Sequence, residues 1–162
     1  MWLLAVAIVF YIFFPKLRAR GTVPKAPDGL PRNAIVVDGS NVMFWGGDPS
    51  QKVLARVLAA LRAEGYAPIA FFDASVGYQL GDRFMNEAAM AEITGLPNRQ
   101  ILVVNKGVVA DEVLLDFATT HGLRVVSNDQ FRDWAVQFPM VKAKGRLVKG
   151  QWKDGSVMLP NL

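Results

Sequence analysis

Apolar and polar residues fall in blocks along this chain rather than alternating residue by residue. Ala34–Asp38 is a short, mostly β-branched apolar run that closes on a carboxylate, and Ile69–Asp73 is a second. Ile101–Val104 and Arg124–Ser127 form a third and a fourth. Continuous apolar runs of this length are the mark of strands buried on both faces of a parallel sheet. Between them the period lengthens. In Pro49–Glu64, Val53, Val57, Leu58 and Leu61 recur at helical spacing, with Asp48 placed as a cap and Gly65 as the stop. Gly81–Ile93 reads as a second helix. Ala110–Thr120 reads as a third, with Val113, Leu114, Phe117 and Ala118 on one face, and Asp129–Trp134 as a short fourth. Arg146–Trp152 and Val157–Leu159 flank Lys153-Asp154-Gly155, a strong turn signal that predicts a C-terminal β-hairpin. Strands interleaved with helices imply an α/β fold, a central parallel sheet with right-handed crossovers flanked by helices.

Upstream of these blocks the pattern changes. Trp2–Phe14 is unbroken apolar sequence followed by Lys16, Arg18 and Arg20. As a helix it spans only about 20 Å against a hydrocarbon core of about 30 Å. Its basic residues lie on the carboxyl side alone, and no small-residue cleavage site follows. Residues 1–20 are therefore expected to be a membrane anchor with a basic flank. The expected placement is single-pass, with the folded domain on the cytoplasmic side. Three prolines and two glycines between Gly21 and Pro31 make residues 21–33 a linker. The folded domain is then 34–162.

Composition removes several chemistries. There is no cysteine, so disulfides, thiolate zinc sites and cysteine nucleophiles are excluded. The single histidine, His121, precedes Gly122 at the end of the third predicted helix, a last-turn position favoured by the helix dipole, and no histidine cage is available. The net charge of +4 resides in the first 32 residues, where five basic side chains face one acid, Asp28. Beyond them the acids gather between residues 38 and 133, and Lys142, Lys144, Arg146, Lys149 and Lys153 crowd the C-terminal stretch. A carboxylate-rich centre with basic flanks suits a polyanion held near a metal, although the lysines also serve simply to solvate exposed strands.

Open α/β sheets place their chemistry beyond the carboxyl ends of the strands. Asp38, Asp73 and Asp129 all stand at or just after such ends, and Asp111 opens the helix that precedes the fourth strand. Asp129 and Asp133 are four apart, on one face of the short predicted helix. Converging carboxylates repel one another unless a cation neutralises them, and Mg²⁺ favours hard oxygen ligands.

Three segments together resemble a known family. Val37-Asp38-Gly39-Ser40-Asn41-Val42, the pair Asp111-Glu112, and Val126-Ser127-Asn128-Asp129-Gln130-Phe131-Arg132-Asp133 look like the NYN/PIN-like ribonuclease domain of the Regnase type. The closing segment, Gly145 to Pro160, is similar to that family's last strands, so the resemblance covers about residues 34 to 160. It implies a PIN-like, Rossmannoid fold and Mg²⁺-dependent endonucleolytic cleavage of RNA, with Mn²⁺ as the alternative ion. Carried over residue by residue, Asp38, Asp111, Asp129 and Asp133 match the acidic positions that hold the metal, directly or through water. Asn41 matches the asparagine that lines the site and fixes the turn after the first strand. Glu112 stands where the family more usually has a second Asp, and its longer arm would place a metal ligand differently. Lys106 is the one lysine in a loop that is arginine-rich in the animal enzymes. Lys106 and Arg132 are candidates to hold phosphate, and Ser127 and Asn128 are candidate RNA contacts. Phe44, Trp45 and Tyr78 are candidate base-stacking aromatics, against the alternative that they close the core. The family's CCCH zinc finger is absent. RNA is thus the expected partner, with the membrane as a second through the N-terminal segment and a homodimer as a third.

The competing reading is a non-catalytic RNA-binding module that keeps the fold and loses turnover. A phosphatase is disfavoured because Ser40 occupies the second position after Asp38, where an Asp-x-Asp pair needs an acid. A dinucleotide enzyme is disfavoured because no Gly-x-Gly-x-x-Gly follows the first strand.

Overall fold

A computed structural model describes residues 29–162. The chain opens with β1 (Ala34–Asp38) and a single helical turn, α1 (Gly39–Val42), followed by α2 (Gln51–Ala63) and β2 (Ala67–Phe72). Two short helices come next, α3 (Val76–Leu80) and α4 (Glu87–Thr94), then β3 (Ile101–Val103), α5 (Ala110–Thr120) and β4 (Val125–Val126). The chain closes with β5 (Leu147–Val148) and the pair β6 (Gln151–Lys153) and β7 (Ser156–Met158). The five strands β3-β2-β1-β4-β5 form one sheet in that order, every pairing parallel. The α/β expectation is met.

The period-two alternation of each strand sorts its side chains between two cores. Ile35, Val37, Ala70 and Phe72 pack towards α2, whose Leu54, Val57, Leu58 and Leu61 form its buried stripe. Val36, Ile69 and Phe71 pack on the opposite face against Val113, Leu114 and Phe117 of α5. Asp38 follows Val37 in the alternation, so its carboxyl belongs to the α5 face, and Asp73, two residues after Phe71, does too. That parity is what later brings these acids to the start of α5. His121 caps α5 as expected, its ring 4.5 Å from that of Phe117, and Gly122 takes the left-handed conformation that ends the helix.

Several expected boundaries move, each for a local reason. α2 starts at Gln51 and not at Pro49, because Ser50 is the cap: its hydroxyl accepts from the Val53 N–H at 3.3 Å. Asp48 is exposed and takes no part. Ser50→Ala should therefore cost about 1 kcal/mol, while Asp48→Ala should stay within about 0.5 kcal/mol. Urea unfolding midpoints of the two variants check the assignment. The single helix expected over Gly81–Ile93 is instead two, since Gly81 is extended and Asn86 restarts the helix by accepting from the Ala89 N–H. Arg146–Trp152 does not form one arm of a hairpin. Val148 is fully buried and joins the parallel sheet, leaving a shorter hairpin whose turn residues Asp154 and Gly155 both have positive φ, as a two-residue loop of this kind requires.

The expected single-pass anchor and cytoplasmic placement are not upheld. Among the described residues no helix is long and apolar enough to cross a membrane. The longest, α2, has 13 residues and only one apolar face. Trp2–Phe14, which carried the expectation, lies outside the described residues.

Candidate active site

The chain builds β1, β2 and β3 to one side, then returns to place β4 against the other edge of β1. The gap beyond β1 and β4 is thus a topological switch point, the place where open α/β sheets bind ligands. Register fixes what stands there. Val37 is level with Val126, and Val126 with Val148. One step further along, Asp38, Ser127 and Lys149 form a row across three strands.

Asp38 is only 7% exposed, and both its oxygens are engaged. Oδ1 accepts from the Asn41 N–H at 3.0 Å, and Oδ2 accepts from the Ser127 hydroxyl at 2.8 Å. Burial dominates its ionisation and pushes the carboxyl up to about 7. The two hydrogen bonds pull it down, while the charges of Asp111 and Asp129 push it further up. The turn that lets Asn41 reach back needs Gly39, because a Cβ there would lie 2.1 Å from the Phe72 ring.

Asp111 lies in the first turn of α5. Its carboxyl is raised by burial first, then by Asp129 and Asp73, with a hydrogen bond from Trp134 acting the other way. Asp129 follows β4 and folds into a local turn: its N–H donates to Ser127 Oγ at 3.0 Å, and its Oδ1 accepts from the Phe131 N–H at 2.7 Å. Such side-chain turns compete with helix, and Phe131 at φ 49° marks the break. The expected helix Asp129–Trp134 shrinks to a 3₁₀ turn, Arg132–Trp134, so Asp129 and Asp133 do not share a helix face. Asp133 is exposed on that turn, and Glu112 accepts from Gln137 Nε2 at 3.3 Å. Residues 111 and 112 diverge because successive helical positions are about 100° apart. The acids that act on one another are therefore Asp38, Asp111, Asp129 and Asp73.

Polar side chains behind this group are committed to one another. Asn41 Oδ1 accepts from Trp45 Nε1 at 3.0 Å and from the Asn128 N–H at 2.9 Å. The Asn128 side chain pairs with the Gly150 backbone, donating to its carbonyl and accepting from its N–H. Ser127 is fully buried. Of the two expected RNA contacts, Ser127 is buried against Asp38, and the exposed Asn128 has its side-chain amide paired with Gly150, so both brace the acidic strand ends. Trp45, expected among the stacking aromatics, is tied to the same brace.

Lys149 is the residue that sequence reasoning missed. Its ammonium donates to the Asp129 backbone carbonyl, and its pKa is lowered by burial and held up by the charges of Asp129 and Asp38. It brings a positive charge to the row at the switch point. A two-residue strand before it, Leu147-Val148, is too short to announce itself.

Two clefts flank the acids. One, of about 550 Å³, is lined by Asp73, Ser75, Tyr78, Phe84, Lys106 and Val108 among others. The other, of about 530 Å³, is lined by Gln130, Arg132, Val141, Lys142, Leu147 and Lys149. Arg132 donates to Gln130 Oε1 at 2.8 Å, which holds its guanidinium along that second cleft. The acidic group is completed within one chain, so the expected homodimer is not needed to assemble it.

Among the described residues no three Asp, Glu or His side chains already converge at ligand distance. The donor set still fits a hard cation, for the carboxyls of Asp38 and Asp111 are raised by burial and by neighbouring carboxylates, and positive charge relieves both. Mg²⁺ in particular takes one or two carboxylates and keeps several waters.

The family model of the Zc3h12a-like ribonuclease NYN domain matches residues 31–162. Two solved structures of nuclear protein-only RNase P 2 from Arabidopsis thaliana share the fold. The first is 22% identical with a TM-score of 0.61, and the match covers 78% of this chain and 29% of that one. The second is 21% identical with a TM-score of 0.61, covering 97% of this chain and 34% of that one. The chain thus spans about a third of the length of either. No curated protein matches it in sequence.

Proposed function

The chain belongs to the Zc3h12a-like ribonuclease NYN domain family, RNA-cleaving nuclease domains, and from that premise we propose that it is a Mg²⁺-dependent endoribonuclease working at the β1–β4 switch point. The observation that carries the reading is the gathering of buried Asp38, half-buried Asp111 and exposed Asp129 near enough for their charges to oppose one another, with Lys149 beside them. Asp38 and Asp129 are the carboxylates best placed to hold the ion, with Asp111 joining them directly or through water. A bound Mg²⁺ would supply an acidified water and positive charge at the scissile phosphate. Asp133, exposed on the 3₁₀ turn, and Glu112, which accepts from Gln137, are the outer carboxylates of the site and would reach the ion through water.

The remaining work falls to the chain itself. Asn41 and Ser127 hold the Asp38 carboxylate in one orientation, which limits the reorganisation needed when charge develops. Lys149 sets a positive charge against Asp129 and Asp38, where an incoming phosphate needs one. Lys106 on one flank and Arg132 with Lys142 on the other lie along a path for the RNA backbone.

The test is cleavage of labelled single-stranded RNA by the full chain with Mg²⁺, with EDTA, and in an Asp129→Asn variant. The expected result is cutting with Mg²⁺ that disappears in EDTA and falls at least about 100-fold in the variant. RNA binding with no cutting under any divalent ion would instead favour the non-catalytic binding module.

A further inference from the structure

The cleft beside Asp73 carries chemistry that phosphate handling does not use. Tyr78 is 63% exposed and Phe84 57% exposed, two of the five large apolar side chains on the described surface. Both line the same 550 Å³ cleft, with Lys106 at its rim. Their placement is built in. A Cβ on Gly77 would lie 2.2 Å from the Arg83 carbonyl oxygen and 2.5 Å from the Met85 nitrogen, so the 81–85 loop is folded directly onto α3. Met85 is buried in the core and anchors the loop from below. The residues beside these two anchors, Tyr78 and Phe84, are therefore held outward rather than left free to collapse inward. Asp73 belongs both to this cleft and to the set of charges acting on Asp111, so the cleft opens onto the acidic group.

We propose that this cleft is a subsite for the base of an unpaired nucleotide next to the cleavage position, stacked against Tyr78 and Phe84 with a neighbouring phosphate on Lys106. The inference rests on the ribonuclease reading for its substrate class. Aromatic side chains beside a lysine provide the two surfaces a single-stranded nucleotide offers, a π-face and a negative phosphate. A base paired within a duplex has its faces covered by neighbours, so the subsite selects unpaired RNA. Stacking of this kind tolerates any base, and the cleft confers strand selectivity more than sequence selectivity.

The experiment measures binding of the full chain in EDTA by fluorescence anisotropy, so that cleavage plays no part. The probes are a labelled single-stranded RNA 12-mer and an abasic ribose-phosphate chain of the same length and charge. Wild type should bind the base-bearing chain about 5- to 150-fold more tightly, the range set by stacking of one base. Tyr78→Ala and Phe84→Ala should each remove most of that preference and leave affinity for the abasic chain unchanged. Tyr78→Phe, which keeps the ring, should retain it. Lys106→Gln should weaken both chains alike and lower the salt dependence by about one counterion. Equal binding of the two chains by wild type, no binding of either, or an undiminished preference in both alanine variants overturns the subsite. Cleavage of the same 12-mer with Mg²⁺ is scored separately. Base preference without cutting retains the subsite and overturns the endonuclease, and cutting without base preference does the reverse.

Discussion

Asp38→Asn is expected to abolish RNA cleavage and, in the same protein, to raise the melting temperature in metal-free buffer at pH 8. The first effect follows from the role proposed for this carboxylate. Losing a group that stabilises charge in a buried site costs about 10²–10³-fold in rate, and here the lost charge would also weaken the metal, so about 10³-fold or more is expected. The second effect follows from burial. Asp38 titrates at about 7 because its charge is held away from water, against Asp111 and Asp129. At pH 8 the wild-type chain carries that charge at a cost of up to about 4 kcal/mol, the equivalent of some three pH units. Asparagine removes it. The amide oxygen still accepts from the Asn41 N–H, while its NH₂ faces the Ser127 hydroxyl that formerly donated. Some of the gain is lost in that rearrangement, leaving about 1–3 kcal/mol, or a rise of about 3–12 °C for a domain of this size. Circular-dichroism melts and a cleavage assay on the same preparation check both parts. An inactive variant that melts lower would show Asp38 to be a structural residue, and an active one would remove it from the site.

Such a trade of stability for function also explains which parts of the molecule were legible in the sequence. β1, β2 and α5 could be read directly because burial on both faces demands unbroken apolar runs or a clean helical stripe. The acids at their ends stood out because each interrupts such a run. Asp38 and Asp73 also follow their strands in the same alternation as Val36 and Phe71, so their shared face is implicit in the pattern. What could not be read were the contacts made by register. Lys149 reaches the acids only because Val148 pairs with Val126 and Val126 with Val37, and a two-residue strand has no period to detect. Ser127 and Asn128 both read as surface residues, yet Ser127 is buried on Asp38, and the exposed Asn128 has its side-chain amide engaged by the Gly150 backbone. Phe131 in the left-handed region defeated a helical reading of Asp129–Trp134, since nothing in a phenylalanine announces that conformation. The Tyr78–Phe84 pair is half visible in the sequence: Tyr78 stands out as an aromatic near the site, but Phe84 falls in a helical pattern that the extended Gly81 interrupts.

Metal-free protein should lose stability as pH rises from about 4 to about 7 and regain it with Mg²⁺ at the upper end of that range alone. The direction is set by which state holds the proton. An unfolded Asp38 releases its proton near 3.8, whereas the folded carboxyl keeps it to about 7. Between those values the folded state binds more protons, so unfolding free energy falls with rising pH and then levels off. Asp111, raised for the same reasons, adds in the same direction. The total decline is on the order of 4 kcal/mol. A cation that binds the ionised cluster stabilises the folded state by mass action, but it must displace protons to do so. At pH 8 the carboxylates are free to accept it, and at pH 5 the Asp38 proton opposes it. Melts in EDTA and in Mg²⁺ at pH 5 and pH 8 therefore form a four-point test, with Asp38→Asn as the reference that removes this proton. The wild-type chain should show a large Mg²⁺ shift at pH 8 and little at pH 5, and the variant a small shift at both. A wild-type melting temperature that rises from pH 5 to pH 8 in EDTA would mean that Asp38 is ionised well below neutrality, and the Mg²⁺ shift should then be equally large at both pH values.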